Sequence, residues 1–321
     1  MIQYILRRVL VLPVVLFLVS LILFAFILQM PPAQRVLVYV PSVRPNITPE
    51  QFDELIEITI QRYGLDRPLW QQYTDWVKGL ARGDWGYSPT WRQPVLSGIL
   101  KRAPATIELT IFALVPALLL SISMGSLAAR HSNRMIDHIV RASAAVGWAL
   151  PPFILGLLLM NVFYAWLGWF PPERISVWAR PIVASETFHT YTGMVTIDAI
   201  LNGKPLILWD ALRHLVLPGV TLALTEWALL TRIMRSSLLD VLKQDYVTTA
   251  RSKGLREREV IRHHAQRNAL LPLVSAGGVV TSLLITGVVV VEVLFSYNGL
   301  GRWAVGAILQ ADVPAAVGFA L

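Results

Sequence analysis

The chain has 321 residues, 55% hydrophobic and 15% charged, against about 25% charged in an ordinary soluble domain. It contains no cysteine, which excludes disulfides, thiolate-ligated zinc and thiol catalysis. A formal net charge of +8 invites a nucleic-acid reading, but no nucleic-acid motif accompanies it, and membrane proteins collect Lys and Arg on one side in the same way.

The low charge comes from long uncharged blocks. Apolar runs of about 18 or more residues read as membrane-spanning helices. The first run is Val9 to Leu28, behind Arg7-Arg8. A cleaved signal peptide shares the basic start, but its apolar region is only about 7–15 residues long, with a small-residue cleavage site after it. Here the run has 20 residues and ends in Gln-Met-Pro-Pro, so an uncleaved span is expected. Residues 29–106 are mixed in character. Thr48 as a cap, Gln51 at the capping-box position, and a stripe of Phe52, Leu55, Ile56 and Ile60 predict a short helix that Gly64 ends. A second short helix is expected within DRPLWQQYTDWVKGLARGDWGYS, closing in a Gly- and Trp-rich loop. This pattern describes a folded extramembrane loop.

The second span is expected from about Ile107 to Ala129 and the third from about Ile139 to Leu167. Pro151-Pro152 lies inside the third, where missing N–H groups predict a kink packed against protein. Residues 168–213 form a second polar loop, followed by spans at about Leu215 to Leu230 and Leu270 to Val291. Pro314 to Leu321 is apolar but too short to cross about 30 Å of hydrocarbon. Either the chain ends unusually there or these are the first turns of a sixth span. With the N-terminus inside, segments 1–8, 130–141 and 232–267 carry 14 Lys and Arg in 56 residues, and the outer segments carry 14 in 146. The counts tie, but the density favours a cytoplasmic N-terminus, because long loops cross regardless of charge.

The charged segment 232–267 is far longer than a connection requires. From Ser237 to Lys253, Leu239, Leu242, Tyr246 and Ala250 recur at three- and four-residue steps, which predicts one helix with an apolar stripe. Arg251 and Lys253 suit its last turn, and Gly254 suits the residue just past its end, where positive φ is needed. A second helix is expected next, with Glu257 and Glu259 near its start. Two short helices meeting at a glycine make an elbow with an apolar face, and such a face wants a partner.

DYVTTARSKGL, followed by RNALLP with Pro272 eighteen residues after Gly254, resembles the EAA loop of ABC-importer permeases, in the form of the dipeptide/oligopeptide branch. Thr248-Thr249-Ala250 stands where the general pattern has Glu-Ala-Ala. MIQYILRRVL, YGLDRPLWQQYTDWVKGLARGDWGYS and VEVLFSYNGLGRWAVGAILQADVP resemble the same branch, so the likeness extends over nearly the whole chain. It implies an all-α integral membrane protein: a six-span type I ABC-importer permease bundle, its sixth span truncated in this chain, with a folded extracellular loop after the first span. The implied divisions are 1–28 for the start and first span, 29–106 for the extracytoplasmic loop domain, and 107–321 for the permease core with a coupling loop at 232–269. In the family this elbow docks on a cytoplasmic ATPase subunit, which implicates Asp245, Ala250, Arg251, Lys253, Gly254 and Leu255. The implied partners are a second similar permease, two ATPase subunits or domains, an extracytoplasmic substrate-binding protein and membrane lipid. The implied location is a prokaryotic plasma or inner membrane.

No G-x-x-x-x-G-K-[ST] phosphate loop occurs, so ATP and Mg would belong to partner subunits, and no cofactor is expected in this chain. His263 and His264 point about 100° apart on a helix and do not converge on one metal ion. No enzyme active site is legible. Glu226 is the deepest ionisable residue of a span, and charge there normally faces a cavity or a partner. Glu108 and Glu292 read as interfacial, and Asn161 reads as a helix–helix hydrogen-bonding group. Glu226, Glu292 and Asn161 are the candidates for a translocation path. Trp148, Trp166, Trp169, Trp209 and Trp227 lie near span ends, and most are expected to be interfacial anchors. Short peptides are the expected cargo. The same fold importing oligosaccharides, with Trp85 and Trp91 stacking on sugar rings, stays open; nickel is disfavoured because no His or Met cluster faces outward. An ATP-independent transporter or channel using Glu226 as a proton site is the reading from another class.

Overall fold

The computed structural model of the chain describes residues 2–29, 36 and 48–321. The side chains of Arg7, Arg8, Gln51 and Phe52, and the Pro31-Pro32 end of the first run, lie outside the described residues. In chain order the elements begin with α1 (Ile2–Leu28), α2 (Pro49–Tyr63), α3 (Leu69–Ala81), β1 (Tyr87–Ser88) and β2 (Gln93–Pro94). Then come α4 (Val95–Arg130), α5 (Met135–Ala149), α6 (Pro152–Leu159, continued by a π-helical turn Met160–Trp166), α7 (Ala179–Val183) and α8 (Val195–Leu201). The last are α9 (Pro205–Val241), α10 (Asp245–Ser252), α11 (Glu257–Leu294, with a π-helical stretch Val260–Ala265), α12 (Leu300–Leu309) and α13 (Val313–Ala320).

Among the described residues, four helices are long and apolar enough to cross a membrane: Leu10–Leu28, Val95–Arg130, Pro205–Val241 and Glu257–Leu294. The bent pair Met135–Ala149 and Pro152–Trp166 makes a fifth if counted as one span. Each lies where an apolar run predicted it, but the helices at α4, α9 and α11 start 10 to 13 residues before those runs. Extending a formed helix adds one hydrogen bond per residue fixed, so polar flanks continue it. Apolarity marks the part suited to lipid and not the helix ends.

Two compact units divide the chain: Met1–Ala103 with Trp303–Leu321, and Pro104–Arg302. In the first, α1 exposes Leu12, Leu16, Phe17, Ile22 and Phe26 over more than half of their surface, as a lipid-facing helix would. Its packed edge places Phe24 against Tyr73 and Trp76 of α3, with ring centroids 5.4 and 5.6 Å away. Gly64 ends α2 at φ +63°, as expected. β1 and β2 pair antiparallel, with Tyr87 opposite Pro94. Val95, Trp303, Ala307 and Ala315 form a small core with Trp85, Ile99 and Phe319 packed on it. Asp312 caps α13 by accepting from the Ala315 N–H at 3.1 Å, and it also accepts from the Ser88 hydroxyl and from the Thr90 N–H.

In the second unit α9 is the central helix and packs on α5, α6, α8 and α11. Its buried Leu215, Leu222, Leu230, Met234 and Leu238 meet Leu273, Val280, Leu284, Val288 and Val291 of α11. Leu109, Ala113 and Ala117 of α4 join at four-residue steps, and the small side chains allow close approach of the helices. The polar stretch 168–213 holds a core of its own, with Ala179, Phe188, Val195, Ala199, Ile207 and Ala211 buried.

Two expectations are corrected here. The kink at Pro151-Pro152 is a full break of 103°. A residue before proline is driven out of the α region, and both Leu150 (ψ 121°) and Pro151 (ψ 141°) precede one, so two successive residues are extended. The single helix expected over Ser237 to Lys253 is two helices, with α9 ending at Val241 and α10 beginning at Asp245. Gln244 between them is extended, with ψ 149°. The turn lets α10 fold back onto the π-helical stretch of α11. It thereby buries Val247 fully and leaves Tyr246 42% exposed, so the stripe read through Tyr246 runs through Val247 instead.

Candidate functional site: the elbow and the broken helix

α10 and the start of α11 make the elbow. Asp245 stands in the first turn of α10 and Arg251 in its last, each with the charge that suits the helix dipole there. Gly254 follows the cap residue Lys253 at φ +76°, with its N–H bonded to the Arg251 carbonyl at 2.9 Å. A Cβ added at Gly254 would meet nothing within 4 Å, so the tip is open. Across it, Arg251 forks onto Glu257 at 2.7 and 3.1 Å. The Glu257 hydrogen bond holds the Arg251 guanidinium above its ordinary pKa. Asn268 donates to the Tyr246 hydroxyl at 2.8 Å and ties α10 to α11 again.

Five of the six predicted coupling residues, Asp245, Arg251, Lys253, Gly254 and Leu255, share the exposed outer side of the elbow. Ala250 does not: it is 5% exposed and belongs with Val247, Val260, Ala265 and Ala269 to the main core. The elbow is therefore a ridge with a buried inner face and a charged, open outer face.

The three path candidates are not brought together. Glu226, on α9, is half-buried, and its Oε2 is buried with no hydrogen-bond partner among the described residues. It lines a cavity of about 290 Å³ with Gly147 to Pro152 at the broken helix and with Leu222, Thr225 and Gly287. Asn161 lies exposed on the π-helical turn after α6. Glu292 is fully buried and does not line that cavity. It accepts from the Thr106 hydroxyl at 2.6 Å and from the Arg302 N–H at 3.0 Å. The interfacial reading of Glu108 and Glu292 gives way to burial in protein. Glu108 accepts from Arg174 at 2.7 Å, from the Thr196 N–H and hydroxyl at 2.8 and 2.7 Å, and from the Tyr297 hydroxyl at 3.2 Å. Burial pushes the Tyr297 hydroxyl far above the usual tyrosine range, and the Glu108 carboxylate adds to the shift.

Sequence reasoning missed the partners Arg174, Thr196 and Tyr297, because nothing local marks them. It also missed a cavity of about 700 Å³ between α5 and α9, lined by His138, Arg141, Thr231, Arg232 and Arg235 among others. Arg235 forks onto the buried Asp137 at 2.6 and 2.7 Å. The tryptophans divide: Trp148, Trp166, Trp169 and Trp209 are more than half exposed, whereas the Trp227 ring N–H is buried without a partner among the described residues. Trp85 packs on the Val95 core and donates to the Leu80 carbonyl at 3.2 Å. Trp91 lies under the Arg102 guanidinium at 5.1 Å.

Comparison with known proteins adds the family. Residues 121–321 match the binding-protein-dependent transport system inner membrane component family, and residues 1–110 match the N-terminal region of such membrane components. The chain is 36% identical to the di/tripeptide transport system permease protein of Pseudomonas aeruginosa, over 98% of this chain and 90% of that protein. It is 35% identical to the dipeptide transport system permease protein of Escherichia coli, over 99% and 91%. It is 34% identical to the oligopeptide transport system permease protein of Bacillus subtilis, over 98% and 90%. The chain belongs to the family of binding-protein-dependent transport system inner membrane components, and it is a permease subunit, not an enzyme.

Proposed function

We propose that this chain is one transmembrane subunit of an ATP-driven importer that moves short peptides handed over by an extracytoplasmic binding protein. The observation that carries the reading is the elbow: a ridge braced on its inner face, with Asp245, Arg251, Lys253 and Leu255 exposed around an open glycine tip. A braced ridge transmits displacement, which a loose tether does not. One of two ATPase subunits or domains docks there, and the two hold ATP and Mg; no cofactor is assigned to the permease. Their closure moves the elbow, and with it α9 and α11, which it joins. A second, similar permease completes the path, toward which Glu226 and Asn161 contribute polar groups. The chain sits in a prokaryotic plasma or inner membrane with its N-terminus and elbow cytoplasmic. In the six-span layout α13 begins the sixth span, and residues 29–106 form the extracytoplasmic loop domain. Peptide cargo is supported by the names of the relatives. Trp85 packs on the Val95 core, which weakens the sugar-stacking alternative, whereas Trp91 is exposed on one side and has Arg102 over its ring.

Gly254→Val tests the reading. A β-branched residue at positive φ costs about 1–2 kcal/mol and adds bulk at the docking tip. The variant should accumulate in the membrane, because the apolar spans are unchanged, while losing co-purifying ATPase and peptide uptake. Wild-type levels of both would reduce the elbow to an ordinary basic loop. Peptide uptake without any ATPase subunit would favour the ATP-independent reading.

A further inference from the structure

The broken helix leaves a specific imbalance of hydrogen-bonding groups. In an unbroken helix the carbonyls of Gly147 and Trp148 accept from the N–H groups four residues on. Those residues are Pro151 and Pro152, which have no N–H. Both carbonyls therefore lack their helical donors by covalent structure alone. Gly147 and Trp148 line the cavity of about 290 Å³, and so does Glu226 with its unpartnered Oε2. Thr225, the other polar liner, donates its hydroxyl to the Leu222 carbonyl at 2.8 Å, so it too offers the cavity only lone pairs.

The rest of the setting points the same way. The cavity sits where the C-terminal end of α5, the negative end of its dipole, meets the N-terminal end of α6, whose Pro151 and Pro152 bring no N–H. Leu150, Pro151, Pro152, Leu222 and Gly287 supply an apolar wall, and acceptors facing such a wall are costly while unpaired. The indole of Trp148 is the one free side-chain donor among the liners, and its ring face attracts cations. α5 and α9 are in close contact here: a Cβ on Gly147 would lie 3.2 Å from the Leu224 carbonyl oxygen, which keeps Glu226 beside the break. A site with several acceptors and almost no donors calls for a cation with several donors. A primary ammonium brings three N–H groups and one positive charge. A carboxylate would find a single side-chain donor, the Trp148 indole, and would lie beside the carboxyl group of Glu226. The volume is near the lower limit for small-molecule sites, about 300 Å³, which suits one end of a peptide.

We propose that this cavity binds a primary ammonium group, the free amino terminus of the peptide in transit, with Glu226 and the carbonyls of Gly147 and Trp148 as its acceptors. The proposal rests on the peptide-import reading above. It makes Glu226 a residue that selects cargo by its amine end inside the permease, separately from any selection by the binding protein.

The test compares a free-amine peptide with its N-acetylated form, in a pair that the wild-type transporter carries at measurable rates. Uptake is measured with the complete transporter, wild type against Glu226→Gln. Selection by the binding protein is common to both permeases and cancels in the comparison. Glu226→Gln should lower uptake of the free-amine peptide by about tenfold or more and leave the acetylated peptide within about twofold of wild type. Glu226→Asp, which keeps the carboxylate, should keep the preference for the free amine. Equal loss of both peptides in Glu226→Gln would assign the residue to a proton, a metal cation or the fold and overturn the proposal. Unchanged uptake of both would overturn it as well, as would loss of the preference in Glu226→Asp. Absence of any peptide uptake by the wild-type transporter is a different result, which defeats the peptide-import reading itself.

Discussion

Glu108–Arg174 and Arg251–Glu257 are both opposite-charge pairs closing at 2.7 Å, but their surroundings differ. The Glu108 side chain is 4% exposed and Arg174 18%, and Thr196 and Tyr297 take up further lone pairs of the carboxylate. Arg251 and Glu257 are 41% and 57% exposed, beside a glycine tip with nothing near it. A buried pair is costly to break because each charge would be left desolvated, whereas a surface pair exchanges its partner for water or for another protein at little cost. Glu292, near one end of α11, belongs to a sealed network, and Glu257 opens the other end in a surface pair. The contrast is that of a fixed anchor with an open, adaptable surface.

Four experiments would break or sharpen that contrast. The largest effect is one of accessibility. Single cysteines at Thr187, in the stretch 168–213, and at Ser252, in the elbow, are both exposed. An impermeant thiol reagent on intact cells should label the first and not the second. Labelling of Ser252→Cys from outside would overturn the proposed cytoplasmic placement of the elbow. The next is energetic. Glu108→Ala leaves the Arg174 charge in a buried setting and should cost about 3–5 kcal/mol. It should be read as lost membrane accumulation and a lowered melting temperature of the purified protein. Arg174→Ala in the same chain should recover part of the loss, and strict additivity of the two would mean that the pair is not coupled.

Ala250→Leu overfills the inner face of the elbow and should cost about 1–3 kcal/mol. Because Ala250 is buried, melting temperature and ATPase co-purification should fall together. A variant that loses ATPase at wild-type melting temperature would place Ala250 in the contact itself. The smallest effect on stability belongs to Arg251→Ala, at about 0–1 kcal/mol for an exposed pair. Its melting temperature should match wild type while ATPase co-purification weakens. A large drop in melting temperature would show that this pair braces the elbow as firmly as Glu108–Arg174 braces the other network.

The sequence by itself determined the properties that a short stretch of chain carries alone. The apolar runs within α1, α4, α9 and α11 are continuous, so their spans are legible without knowing any neighbour. The positive φ of Gly254 follows from a helix end that needs a residue without a Cβ, and the break at Pro151-Pro152 follows from missing N–H groups, though its size of 103° does not. Only the tertiary structure decided which groups meet. Glu108 and Arg174 are 66 residues apart, Thr106 and Glu292 are 186 apart, and Ser88 and Asp312 are 224 apart. Val247 displaced Tyr246 as the buried residue of α10 because the turn after α9 rotated that helix onto α11. Glu226 was marked as costly from its place in the sequence, but its standing beside two carbonyls whose helical donors are replaced by prolines was not. Backbone sterics and apolar burial act over a few residues and leave periodic traces in the chain. Pairing of polar groups depends on which helices fold side by side, and no local pattern records that.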